Sequence, residues 1–226
     1  YNTGNPEKDY LNLFVSLSHI ETELILAREY SDALQIYHYV NYYLTSQGQG
    51  RVGMEKRLVN SYLMSDGSRF TDISGYDKMT FADEVKNRDL RLSQTIRTPG
   101  YTRIGETTPL PPDFSLSMTG YQIIKYLTAP QYDQYDRSFN AMPLIRYAEV
   151  LLNYAEAKAE RGTITQEDLD KSISLIRDRA GMPGLDLTSA NASPDPYIAG
   201  LYPAVSGANK GVILEIRRER RIELVM

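Results

Sequence analysis

The stretch Met142 to Arg161, MPLIRYAEVLLNYAEAKAER, limits the possible folds more than any other part of the chain. Ile145, Ala148, Leu152, Ala155 and Ala159 recur at steps of three and four, which draws one apolar stripe along a helix. Three of the five are alanine, which has the highest helix propensity and lets a second helix approach closely. Pro143 is expected in the first turn, where its missing N–H has no intrahelical role. Gly162 is expected to close the helix in a left-handed conformation. An element of this kind needs a partner for its stripe, so the chain is expected to be built from packed helices.

The segments that follow supply such partners. Gln166 to Arg179 carries a second stripe, Leu169, Ile173, Ile176 and Ala180, and ends at Gly181 and Pro183. Thr165 and Asp168 stand at the spacing of a capping box, with Asp in place of the usual Glu. Only Gly162–Thr165 links the two helices, so residues 143–181 read as an antiparallel helical hairpin. Gly184–Ala208, rich in Pro, Ser, Asn and Gly, reads as an excursion. Lys210 to Met226 is a third helix, with Ile213, Ile216 and Leu224 among four Arg and three Glu.

Upstream the signals are shorter. Asp9 to Ile20 has helical spacing at Tyr10, Leu13, Leu17 and Ile20, with Asp9 as its cap. Glu23–Ala27 is an apolar run in which periodicity leaves helix and strand open. Ser31 to Leu44 carries five rings, Tyr37, His38, Tyr39, Tyr42 and Tyr43, without clean periodicity and reads as irregular. Leu58–Met64 reads as a short helix, and Asp66-Gly67 as the turn after it. Leu92 to Ile96 reads as extended, Thr98 to Pro112 as a Pro- and Gly-bearing loop, Tyr121–Leu127 as a strand, and Gln131–Asn140 as a tyrosine-bearing loop.

Composition removes several functions. The 226 residues are 42% apolar and 24% charged, as in a globular chain long enough for a real core. A net charge of −4 argues against nucleic acid as a main partner, because phosphate binding needs a basic face. No apolar run approaches the roughly 18 residues of a membrane span. There is no cysteine, hence no disulfide, thiolate metal site or cysteine nucleophile. Eighteen tyrosines against five Phe and no Trp suit polar ligands, since the ring packs while the hydroxyl hydrogen-bonds.

Glu149, Glu156 and Glu160 lie near one helix face. Glycoside hydrolysis needs two acids across a cleft, and a regular helix face makes ion pairs instead. The run Arg217 to Glu223 alternates signs, which argues against a phosphate patch. His19 and His38 have no nucleophile or second metal ligand in sequence reach. Asp133, Asp136 and Asp113 offer oxygen ligands for calcium but match no loop motif. Neither a catalytic residue, a metal nor a cofactor is therefore assigned. The ligand-binding candidates are loop residues able to cover a sugar's apolar face and hydrogen-bond its rim. They are Tyr76 beside Asp72, Asp77 and Lys78; Phe81; Tyr101 with Arg103; and Tyr132 and Tyr135 among Gln131, Asp133, Gln134 and Asp136.

RYAEVLLNYAEA (Arg146–Ala157) resembles the signature helix of the SusD/RagB family. LVNSYLMSDG (Leu58–Gly67), RDLRLSQTIRTPG (Arg88–Gly100), IRDRAGMP (Ile176–Pro183) and ILEIRRERRIEL (Ile213–Leu224) resemble further family blocks, in the family's order. Tyr1 to Arg57 resembles it only loosely. The resemblance implies an all-α fold of tetratricopeptide-like helix pairs with long loops and minor β structure, with Glu23–Ala27 strand-like and the Arg/Glu run packed on the signature helix. It implies a non-catalytic, surface-exposed lipoprotein of the Bacteroidetes outer membrane. Such a protein binds oligosaccharide or polysaccharide and delivers it to a SusC-like TonB-dependent transporter. It places the aromatic glycan platform upstream of the signature helix, which favours Tyr76 and Tyr101. The opening residues YNTGNPEKDY lack the parts of a secretion signal, so residues 1–226 are expected to be an internal portion, with the lipid anchor elsewhere. The alternative is a helical scaffold that binds protein and no sugar.

Overall fold

The alanine stripe is the packing face of one of two long helices, which meet along their length. The computed structural model describes all residues, Tyr1–Met226. In chain order the elements are α1 (Asp9–Val15), β1 (Leu24–Arg28), α2 (Val40–Thr45), α3 (Lys56–Ser61), α4 (Phe81–Glu84), α5 (Leu90–Thr95), β2 (Met142–Arg146), α6 (Tyr147–Glu160), α7 (Gln166–Asp170), α8 (Ile173–Arg179), α9 (Leu187–Ala192), α10 (Pro196–Leu201) and α11 (Lys210–Glu223). The fold is thus predominantly helical with a minor sheet.

Ala148, Leu152, Ala155 and Ala159 of α6 are all buried. The partner is α11, and the two run antiparallel. Arg217 of α11 bonds Glu160 of α6, Arg220 bonds Glu156 and Asn153, and Glu223 receives Arg146 at the start of α6. Gly162 closes α6 at φ +72°, as expected. The capping box at Thr165 and Asp168 is present with both reciprocal bonds.

Two apolar clusters form the interior. One gathers Tyr10, Leu13 and Phe14 of α1 with Leu58, Val59, Leu92 and the 121–127 segment. The other gathers the α6 stripe with Leu169, Ile173, Ile176 and one face of α11. Helix α11 belongs to both, through Val212 to Ile216 in one and Ile222 in the other. Its acids anchor a buried ion-pair network. Glu219 receives Arg177 Nε at 3.0 Å and also Arg91. Glu223 receives Arg146 and Arg179 at 2.6 Å each, and Arg91 at 3.2 Å. Burial pushes the Glu223 carboxyl up, but Arg179, Arg146 and Arg91 outweigh it and hold it far below the usual carboxylate range. The interleaved Arg and Glu of this helix are therefore structural.

Several expectations fail for identifiable reasons. Pro143 and Ile145 lie in β2, not in a helix; Ile145 is exposed and Pro143 faces Ala27 of β1 in an antiparallel pair. Proline is tolerated there because each strand of a two-stranded sheet is an edge. Helix α1 ends at Val15, leaving Leu17 exposed, and Asp9 sits inside the first turn with Lys8 as cap. The Asp9 carboxylate instead accepts bonds from the backbone and hydroxyl of Thr3. The Ser31–Leu44 stretch contains α2. Leu92–Thr95 is helical, with Asp89 capping at Arg91 N–H. The helix over Gln166–Arg179 breaks at Lys171–Ser172 into α7 and α8, and the 184–208 excursion holds α9 and α10. Tyr121–Leu127 makes only isolated bridges, Gln122 to Gly53 and Ile123 to Ile96, and both of its faces are buried. Even Lys125 is enclosed, with its ammonium 3.9 Å from the Phe14 ring centre.

Candidate functional site

Two segments far apart in sequence are laced together at the surface. His38 and Ser138 exchange backbone hydrogen bonds of 2.8 and 2.9 Å, and Asn41 N–H donates to Ser138 Oγ at 3.2 Å. The His38 ring is buried. Its Nε2 faces the Asn140 carbonyl at 3.1 Å, and Val40 N–H donates to Nδ1 at 3.3 Å. These partners fix the neutral tautomer with the proton on Nε2. Burial lowers the His38 pKa, while the bond to Asn140 opposes that shift. Asp136 adopts φ +57°, a left-handed conformation that Asp tolerates, and turns the chain immediately after Tyr135.

This lacing brings three tyrosines together. Tyr39 and Tyr135 stack with ring centres 5.4 Å apart and planes 16° from parallel. Tyr42, one helical turn beyond Tyr39, meets Tyr135 edge-on at 5.7 Å. Tyr39 is 48% exposed and Tyr135 63%. Gln49 Nε2 donates to the Tyr42 hydroxyl at 3.4 Å, and the Tyr37 hydroxyl donates to Asp32 at 2.7 Å. Exposed aromatic faces bordered by amides and carboxylates suit a ligand with an apolar face and a hydroxyl rim.

The sequence candidates separate into different places. Tyr135 is in the stacked cluster, and Tyr132 on the same loop is half-buried, edge-on to Phe139 at 5.2 Å. Arg103, considered as a ligand contact, is instead buried with its guanidinium engaged by the Thr128 carbonyl and the Asp133 carboxylate. Tyr101 is half-buried and lines a cleft of about 770 Å³ between α1 and the 98–112 loop. Burial pushes its hydroxyl pKa up to about 12. Tyr76 is half-buried between Phe70 and Tyr197, and Phe81 between Phe114 and Tyr121. Tyr39 and Tyr42 were not among the candidates. Their signal is two rings three residues apart in a stretch without clean periodicity.

The other candidate groups have structural partners. Glu156 and Glu160 bond Arg220 and Arg217 at 2.9 and 2.8 Å, so they bridge two helices. Glu149 lines a separate cavity of about 340 Å³. His19 pairs with Glu29. Asp113 accepts from Ser115 N–H at 2.9 Å, and Asp133 is held by Arg103 and Asn41.

The model of the SusD family matches residues 22–226, reaching well upstream of Leu58, where the first family-like block begins. A SusD-like protein from Bacteroides fragilis NCTC 9343 superposes with a TM-score of 0.63 at 21% identity, over 100% of this chain and 45% of its own. A SusD-like carbohydrate binding protein from the same organism superposes with a TM-score of 0.64 at 24% identity, over 96% of this chain and 42% of its own. The chain therefore spans less than half the length of these solved relatives, and at these identities the likeness is one of fold. No curated protein matches the chain.

Proposed function

The chain belongs to the SusD family, and from that premise we propose that it captures glycans at the bacterial outer-membrane surface and passes them to a TonB-dependent transporter. Proteins of this family are non-catalytic and are associated with carbohydrate binding and uptake. One observation carries the proposal to a site: the exposed, stacked Tyr39–Tyr135 pair with Tyr42 against its edge. A pyranose presents C–H faces that pack on such rings, and its hydroxyls meet Gln49, Gln134 and Asp136 at the margin. No bond is broken in this reading; the sugar is held and released intact. Each contact is weak, so affinity grows from several sugar units engaging together. The lipid anchor and the transporter partner are part of the proposal and rest on family resemblance. The α6–α8 hairpin and the α6–α11 pair are read as tetratricopeptide-like units supplying rigidity behind the loops.

A second reading, a protein-binding scaffold, draws on a different surface. Leu144 on β2, Tyr147, Val150 and Tyr154 on α6, and Leu175 on α8 are all exposed. Calorimetric titration with a panel of neutral and acidic polysaccharides decides between the two. Glycan capture predicts heat with one class, weakened about tenfold in Tyr135→Ala and unchanged in Tyr76→Ala. A folded sample silent across the panel supports the scaffold.

A further inference from the structure

The segments that meet at the tyrosine cluster are tied by one buried polar knot. Asn41 lies in α2 between Tyr39 and Tyr42 and is fully enclosed. Its Oδ1 accepts from the N–H and hydroxyl of Thr128, both at 3.2 Å. Its Nδ2 donates to the Ala129 carbonyl at 3.3 Å and to Asp133 Oδ1 at 3.1 Å. Asp133 stands two residues before Tyr135. It also receives Arg103 as a fork, Nη2 to Oδ1 at 2.6 Å and Nη1 to Oδ2 at 2.9 Å. Arg103 donates again to the Thr128 carbonyl, from Nε at 3.0 Å and Nη2 at 2.7 Å.

Three separate segments therefore converge: α2, the 128–135 stretch and the long 98–112 loop. Arg103 is buried while Asp133 stays partly exposed, and a bidentate pair of this kind supplies geometric specificity as well as energy. The bidentate fork fixes the carboxylate plane, and with it the backbone that carries Tyr135. The amide of Asn41 sets the other side, because it is built into the helix that carries Tyr42 and directly follows Tyr39. Arg103 and Asn41 both bond Thr128 and Asp133, which leaves Arg103 acting on a ligand only through the rings.

We propose that Asn41 and Arg103 are positioning residues of the glycan platform, holding the 129–139 loop against α2 so that Tyr135 stacks on Tyr39. The proposal rests on the platform reading above, and the test separates the two. Near-ultraviolet circular dichroism reports the stacked pair, with Tyr39→Ala as the reference for its loss. Calorimetry with the binding polysaccharide reports function, and far-ultraviolet dichroism reports helix content. Arg103→Gln keeps one donor for Thr128 but cannot form the fork. It is expected to lose the stacking component seen lost in Tyr39→Ala and to weaken affinity about tenfold, with helix content retained. Asp133→Asn, nearly the same in shape, is expected to do the same and replaces Arg103→Gln if that variant fails to fold. An intact stacking signal with intact affinity in a folded variant overturns the proposal. So does a lost stacking signal with unchanged affinity. If the wild-type protein binds no polysaccharide, the platform reading fails; the dichroism arm still decides whether the knot sets the stack.

Discussion

Removing the ring of Tyr135 tests stacking, while removing only its hydroxyl tests the rim. A ring that covers a sugar's C–H face buries apolar area at about 25 cal/mol per Å², and 1.4 kcal/mol is about a tenfold change in affinity. Tyr135→Phe is therefore expected to keep most of the glycan affinity, whereas Tyr135→Ala loses about tenfold; paired titrations check this. His38 adds a pH dependence. Its pKa in the folded protein lies below the ordinary 6.5. The unfolded chain thus takes up a proton first as pH falls, and the folded state loses stability below that point. Protonation also removes Nδ1 as the acceptor for Val40 N–H. Thermal midpoints are expected to fall on acidification below about pH 6.5 more steeply in the wild-type protein than in His38→Gln. At this scale the sequence was partly informative. Tyr135 stands among polar loop residues and could be picked out. Its partner Tyr39 could not, because the pairing is made by backbone bonds between His38 and Ser138 that no local pattern announces.

Among the elements, α11 is the one on which both cores depend. Gly211 lies in its first turn, and a Cβ there would run into the Ala190 carbonyl of α9. Alanine gains about 1 kcal/mol of helix propensity over glycine, but crowding a packed interior costs about 1–3 kcal/mol. The obstacle is backbone that no rotamer change can move, so Gly211→Ala is expected to destabilise, as read by urea denaturation. Glu223 sits among three arginines, and Glu223→Gln leaves buried positive charge uncompensated. The expected cost is about 3–5 kcal/mol, measured the same way. Because the Glu223 pKa is depressed, its contribution is present above the ordinary carboxylate pKa and is lost as pH falls toward the folded value. The long helices were legible because α6 and α11 carry their own periodicity, and the capping box and Gly162 mark boundaries locally. The strand β2 was not, since Pro143 and Ile145 fit a helical stripe until β1 is known to lie beside them. The 121–127 segment, YQIIKYL, is buried on both faces, so its pattern does not tell a paired strand from an enclosed extended segment.

For the whole molecule, a rigid helical half carries loops whose tyrosines face solvent, and net charge then enters. With −4 on the chain, acidic polysaccharides meet long-range repulsion. Added salt is expected to strengthen binding of acidic glycans and leave neutral ones unaffected, which titrations at two ionic strengths would show. The central claim is that glycan capture occurs on the Tyr39–Tyr42–Tyr135 cluster. It is tested most directly by NMR of the protein with isotope-labelled tyrosine rings, assigned by single Tyr→Phe variants, while polysaccharide is added. The account predicts that the ring resonances of Tyr39, Tyr42 and Tyr135 shift together and saturate, with Tyr76 and Tyr101 unmoved. Saturating shifts at Tyr76 or Tyr101 with the cluster silent would contradict it.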